Sequence, residues 1–256
     1  MKAVNDRLGN GFGVVLREAR DSRVVAFQIW FGVGGADERD EEAGLSHVLE
    51  HMLFKGTATR GVGEIVRDVE SAGGYVNAWT SHDETVFHVT LSRDRAERGL
   101  EVLADAVRNA AIDAGELERE RSVILEEIRM GADNPSRVVM EALFSGAFRR
   151  HPYGRSVIGT PKTVGGFDAR TVRRFFKRWY TPSNAVLVAV GDFDARKMRA
   201  SVERVFGDWE ARTAPKRTTR TAEPKQMRLR QTHRVLPVFE AKVAMGLPIP
   251  GLVHED

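Results

Sequence analysis

Two hydrophobic periods alternate along this chain. Residues 13–17 and 24–31 ("VVAFQIWF") are short apolar runs of strand length, and their closeness predicts a hairpin. The spacing then becomes helical over about 44–55 and again over 62–72, where Gly73-Gly74 suit a left-handed cap. From Tyr75 to Leu91 the pattern alternates once more. Phe87, Val89 and Leu91 interleave with Val86, His88 and Thr90, which predicts a hairpin turning near Ser81–Asp83.

Helical periods follow at about 93–110, 114–130, 136–149 and 168–180. "HPYG" at 151–154 reads as a loop and "AVLVAVG" at 185–191 as a buried strand. Met198, Val202, Val205 and Trp209 mark an amphipathic helix over 194–209. Residues 238–248 alternate again and predict a last strand. Hairpins with helices between them indicate an α+β fold, a mostly antiparallel sheet with helices packed on it.

The predicted organisation is one complete domain over 1–210, a basic linker over 211–235, and over 236–256 the start of an incomplete second domain. Arg212 to Arg234 holds eight Lys or Arg against the single acid Glu223, with Pro215 and Pro224 among threonines, which reads as a solvated linker. It has neither a recognition-helix pattern nor interleaved aromatics, so nucleic-acid binding is not expected. The chain has no cysteine, which excludes disulfides, thiolate metal sites and a cysteine nucleophile. No apolar run has membrane-spanning length, and the N-terminus has no apolar leader, which points to a cytoplasmic protein without membrane contact.

The candidate chemistry lies in "GLSHVLEHMLFKGT" at 44–57. At about 100° per residue, His47, Glu50 and His51 fall within one arc of about 100° on a helix otherwise covered by apolar residues. Two imidazoles four residues apart can reach one metal ion, and a glutamate among them is costly to bury unless paired or serving a metal. The bland alternative is a pair of ordinary core histidines. A catalytic zinc commonly takes three protein ligands. In "GELERERSVILEEIRM", Glu120 and Glu127 share one flank of the apolar stripe, while Glu126 points to solvent. Helical geometry alone does not choose between Glu120 and Glu127.

"HVLEH" matches the inverted H-x-x-E-H zincin signature. Together with "GGYVNAWTSHDETVFHV" (73–89), "HPYG" and "YTPSNAVLVAVGD" (180–192), it resembles the pitrilysin/insulinase family, which includes the mitochondrial processing peptidases. The resemblance covers about residues 5–250 and implies the metallopeptidase architecture shared by LuxS and M16 proteins. The family places its third zinc ligand about 76 residues after the second histidine, which falls on Glu127. An acidic residue seven positions earlier matches Glu120, outside the ligand set.

The resemblance therefore implies a zinc-dependent endopeptidase acting on extended or unfolded peptides. His47, His51 and Glu127 would hold Zn2+, and Glu50 would be the general base towards the zinc-activated water. Asn77 and Ala78 match the strand that pairs with substrate backbone in relatives. His82 and His88 are expected to be non-ligands. Typical members are longer, and their C-terminal part supplies an arginine and a tyrosine that no residue here matches. That departure implies a partner chain, in a homo- or hetero-oligomer, or a missing C-terminal half, and leaves open a zinc-retaining subunit that is inactive alone.

Overall fold

The computed structural model describes residues 3–217 and 220–249. His254 and the end of the 236–256 segment lie outside the described residues. Among these residues six strands form one sheet: β1 (Val4–Arg7), β2 (Gly13–Glu18), β3 (Val24–Phe31), β4 (Tyr75–Thr80), β5 (Thr85–Ser92) and β6 (Ala185–Gly191). The spatial order is β1-β2-β6-β3-β5-β4, and every neighbouring pair is antiparallel except β2 with β6. Among the described residues eight α-helices accompany it: α1 (Leu45–Leu53), α2 (Glu64–Glu70), α3 (Ala96–Asn109), α4 (Ala114–Ala132), α5 (Pro135–Ala147), α6 (Pro161–Gly166), α7 (Ala169–Trp179) and α8 (Ala195–Phe206). The architecture is the expected α+β one.

The alternation in the strands decides where the core lies. Phe27, Ile29 and Phe31 of β3, Phe87 and Val89 of β5 and Leu187 of β6 are fully buried towards the helices. They meet Leu45, Leu49, Met52 and Leu53 of α1 and Leu100 and Val107 of α3 in one hydrophobic core. Removing so many aromatic and aliphatic side chains from water is the main stabilising term. The opposite sheet face is only partly covered; there Trp30 and Trp79 meet edge to face at 5.6 Å.

The predicted hairpin between residues 13–17 and 24–31 does not form. β6 lies between β2 and β3 and pairs with both, Val15 opposite Val188 and Gln28 opposite the same residue. Strand β1, four exposed residues with a single valine, carries no apolar signal and pairs only with the outer side of β2. The alternation at 238–248 also gives no strand. Phe239, Val243, Met245 and Leu247 are exposed, and among the described residues neither sheet edge, β1 or β4, offers this segment a ladder. An apolar face becomes a strand only when its backbone pairs with a neighbour.

The basic segment has no helix or strand among its described residues, yet it is not simply solvated. Arg217 and Arg220 both reach Asp37, Arg220 also pairs with Asp83, and its guanidinium lies 5.6 Å over the Tyr153 ring. Glu223 accepts from the backbone N–H groups of Arg150 (2.8 Å) and His151 (3.2 Å). The segment is laced to the β4–β5 turn and to the loop after α5.

Candidate metal centre

α1 is the innermost of the site's supports. Leu45, Val48, Leu49, Met52 and Leu53 bury it against the sheet and leave His47, Glu50 and His51 in the remaining arc. Its start is fixed by backbone contacts. Gly44 has φ +100°, and a Cβ there would lie 2.8 Å from the Ile158 carbonyl oxygen, so the position requires glycine. Glu38, itself buried, accepts from the N–H groups of Gly44 (2.8 Å) and Ser46 (2.6 Å), two of the donors a helix start leaves unpaired.

α4 packs on the outer side of α1. Asp113 caps it by accepting from Gly115 and Glu116, and Leu117 and Ile124 face the core. That orientation turns Glu120 and Glu127 to α1. Glu127 Oε2 stands 3.7 Å from His47 Nε2 and 3.8 Å from His51 Nε2. One donor atom from each of these three residues lies within 4.8 Å of the others. Glu120 Oε2 is 3.0 Å from His51 Nδ1, and Glu120 Oε1 is 2.7 Å from Lys55 Nζ. Glu50 accepts a short hydrogen bond from the Thr80 hydroxyl of β4.

The electrostatics suit metal binding. Burial, reinforced by the neighbouring His51 and Arg137, pushes the His47 imidazole down to about 3, so the ring is neutral and keeps a free lone pair. Burial raises the Glu120 carboxyl, but hydrogen bonds from Lys55 and His51 outweigh it and keep the group below the ordinary range. Burial raises the Glu50 carboxyl, and the Thr80 hydrogen bond and His51 only partly oppose this.

The Nε2–Oε2 separations exceed hydrogen-bond reach. They are near those of donors sharing one tetrahedral ion with bonds of about 2.0–2.2 Å. His51 is already oriented for such a role, because a carboxylate on Nδ1 leaves Nε2 free to ligate. The donor set, two imidazoles and a carboxylate, therefore fits a divalent metal.

Asn77 and Ala78 are not part of this cluster. They stand on β4, an edge strand of the sheet. The Asn77 side chain donates to the Tyr75 hydroxyl (2.6 Å) and accepts from the Ala78 N–H (2.9 Å). His82 stacks on Phe144 with 11° between the ring planes, and His88 lies beside Tyr75 and Trp79; neither joins the donor cluster. A cavity of about 590 Å³ opens from His47, Glu127 and Thr80 towards His82, Phe144 and Val157.

Sequence reasoning missed Thr80 and Lys55. Thr80 is two residues beyond Ala78, hence on the same strand face, and Lys55 is one helical turn beyond His51. Both spacings were open to inspection. Arg137, 3.7 Å from Glu127 Oε1, had no comparable signal because it comes from a separate helix.

Comparison with known proteins bears on this arrangement. The sequence model described as "Insulinase (Peptidase family M16)" matches residues 13–161, and that described as "Peptidase M16 inactive domain" matches residues 166–256. The uncharacterized zinc protease YmxG of Bacillus subtilis is 35% identical over 203 residues, 79% of this chain and 49% of that protein. An uncharacterized zinc protease of Rickettsia felis is 33% identical over 200 residues, 78% of this chain and 48% of its own length. The chain thus spans about half the length of these curated relatives. Among solved structures, a protease from Helicobacter pylori superposes with a TM-score of 0.83 at 28% identity, over 88% of this chain and 55% of that one.

Proposed function

The chain belongs to the insulinase family of peptidases, family M16, and from that premise we propose that it is the zinc-binding part of a metalloendopeptidase that cuts extended or unfolded peptides. The observation that carries the reading is the convergence of His47, His51 and Glu127 to within 4.8 Å, with Glu50 on the same helix. These three residues would hold Zn2+. When bound, the ion would supply Lewis-acid chemistry, acidifying water and polarising the scissile carbonyl.

The remaining roles fall to the chain's own groups. Glu50 takes a proton from the attacking water and returns it to the leaving amine nitrogen. Its raised pKa suits both transfers, and the Thr80 hydroxyl holds it in place. Glu120 orients His51. An extended peptide would add to the edge strand β4 by main-chain hydrogen bonds around Asn77 and Ala78, and the adjoining cavity would take one of its side chains.

The test is metal content and cleavage of a quenched-fluorescent peptide mixture by the purified chain. Glu50→Gln is expected to keep zinc and to lose turnover by about 10²–10⁴-fold. A wild-type chain that takes up no zinc would sink the reading. A wild-type chain that binds zinc but cleaves nothing would favour a second one, a subunit that needs a partner chain or a C-terminal half. The exposed Phe239, Val243, Met245 and Leu247 favour that second reading, as apolar side chains that another chain or further residues would cover.

A further inference from the structure

α1 carries its polar row one turn beyond the second histidine. His47, His51 and Lys55 are each four residues apart and stand one above another. Lys55 lies just past the last helical residue, its N–H donating to the Met52 carbonyl at 3.1 Å. α4 answers with Glu120 and Glu127, two turns apart. The seam between the helices has two rungs. In the upper one Glu127 faces both histidines, and in the lower one Glu120 lies between His51 Nδ1 (3.0 Å) and Lys55 Nζ (2.7 Å).

We propose that Lys55 is a positioning residue of the metal centre, acting through Glu120 on His51; the proposal rests on the metallopeptidase reading above. The Glu120 side chain is only 10% exposed, and both of its oxygens are used. Among the described residues Lys55 is the one Lys or Arg within ion-pair distance of it. A carboxylate tied at both oxygens cannot rotate, so the imidazole bonded to it is fixed in plane and tautomer. Without Lys55, Glu120 would be a nearly buried anion on a seam that already holds Glu50 and Glu127. Such an uncompensated charge turns towards solvent and releases His51.

The experiment measures zinc affinity by competition with a chromophoric chelator for the full chain and for Lys55→Met, Lys55→Arg, Glu120→Gln and Lys55→Met/Glu120→Gln. Lys55→Met is expected to weaken zinc binding about tenfold, within the range of outer ligand partners. Lys55→Arg, which keeps the cation, is expected to restore most of it. The double variant is expected to bind zinc as Glu120→Gln does, because Lys55 acts through that residue. An unchanged affinity in Lys55→Met overturns the proposal. So does a loss that adds in full to that of Glu120→Gln, or one that Lys55→Arg leaves unrepaired, since a merely structural lysine gives those patterns. A wild-type chain that binds no zinc overturns the metallopeptidase reading as well, which separates the two failures.

Discussion

A carboxyl group grips each end of α1, and the two are held by opposite means. At the N-terminal end the Glu38 carboxyl accepts from two backbone N–H groups, those of Gly44 and Ser46, and the Arg155 charge acts on it from farther off. The neighbouring Arg155 spends its guanidinium on the Glu38 carbonyl at 2.6 Å, not on the carboxylate. Burial therefore prevails over the Ser46 and Gly44 hydrogen bonds and pushes Glu38 up to about 7. At the C-terminal end burial acts on Glu120 in the same direction, but Lys55 and His51 overcome it and the group stays low. The helix dipole sharpens the contrast. It favours an anion at the start of α1 and disfavours one near its end, where a cation has to accompany it. Glu38 serves the fold and Glu120 serves the donor cluster.

The strongest attempt to break this contrast is Glu38→Ala. It leaves two buried N–H groups without acceptors, at about 1–3 kcal/mol each. We expect roughly 2–6 kcal/mol of lost stability in denaturant titration of the metal-free chain; a loss below about 1 kcal/mol would show that Glu38 does not clamp the helix.

The next test is pH. Because the folded-state pKa of Glu38 lies above its ordinary value, the folded chain holds the extra proton between about 4.5 and about 7. Its contribution to stability is fully present below 4.5 and is lost as pH rises towards 7, on the order of 3 kcal/mol in total. Glu38→Gln should flatten this slope, and an unchanged slope would assign it elsewhere. Glu42 titrates in a separate window. Burial opposes its ionisation, but Arg39 and Arg178 hold it at about 2, so its contribution fades only as pH falls below 4.5.

The smallest effect sharpens the division of labour. Glu120→Gln should weaken zinc binding about 10–100-fold yet shift metal-free stability by no more than about 1 kcal/mol. Calorimetric unfolding with and without zinc separates the two quantities. A large metal-free loss would make Glu120 a second structural clamp and erase the contrast.

Local features were legible in the sequence. The α1 period, the β4–β5 hairpin with its turn, and β6 all follow from spacing that the residues themselves carry. The shared direction of His47 and His51 was legible for the same reason, since i and i+4 on a helix fix direction, whereas Glu127 came from the family spacing. Helix geometry still left Glu120 and Glu127 equivalent, because both lie on one flank of α4; the neighbouring helix separates their surroundings. The failures were non-local. Nothing in residues 13–31 announces that a strand from 185–191 will enter between β2 and β3. The alternation at 238–248 gives an apolar face but no partner. The basic run between 212 and 234 shows charge, but not that Asp37 and Asp83 await two of its arginines.

The insertion of β6 between β2 and β3 also sets a timetable. Once Phe31 has left the ribosome, more than 150 further residues must be made before Ala185 appears. At about 5–20 residues per second that takes roughly 8–30 s. β3 can gain β5 in the meantime, but its other side and the inner side of β2 have no native neighbour during that interval. Pairing across so long a separation slows folding and leaves strand edges available to other chains. The helix that carries His47 and His51 is thus made early and receives its completed floor late, so exposure to aggregation is greatest while the chain is still being synthesised.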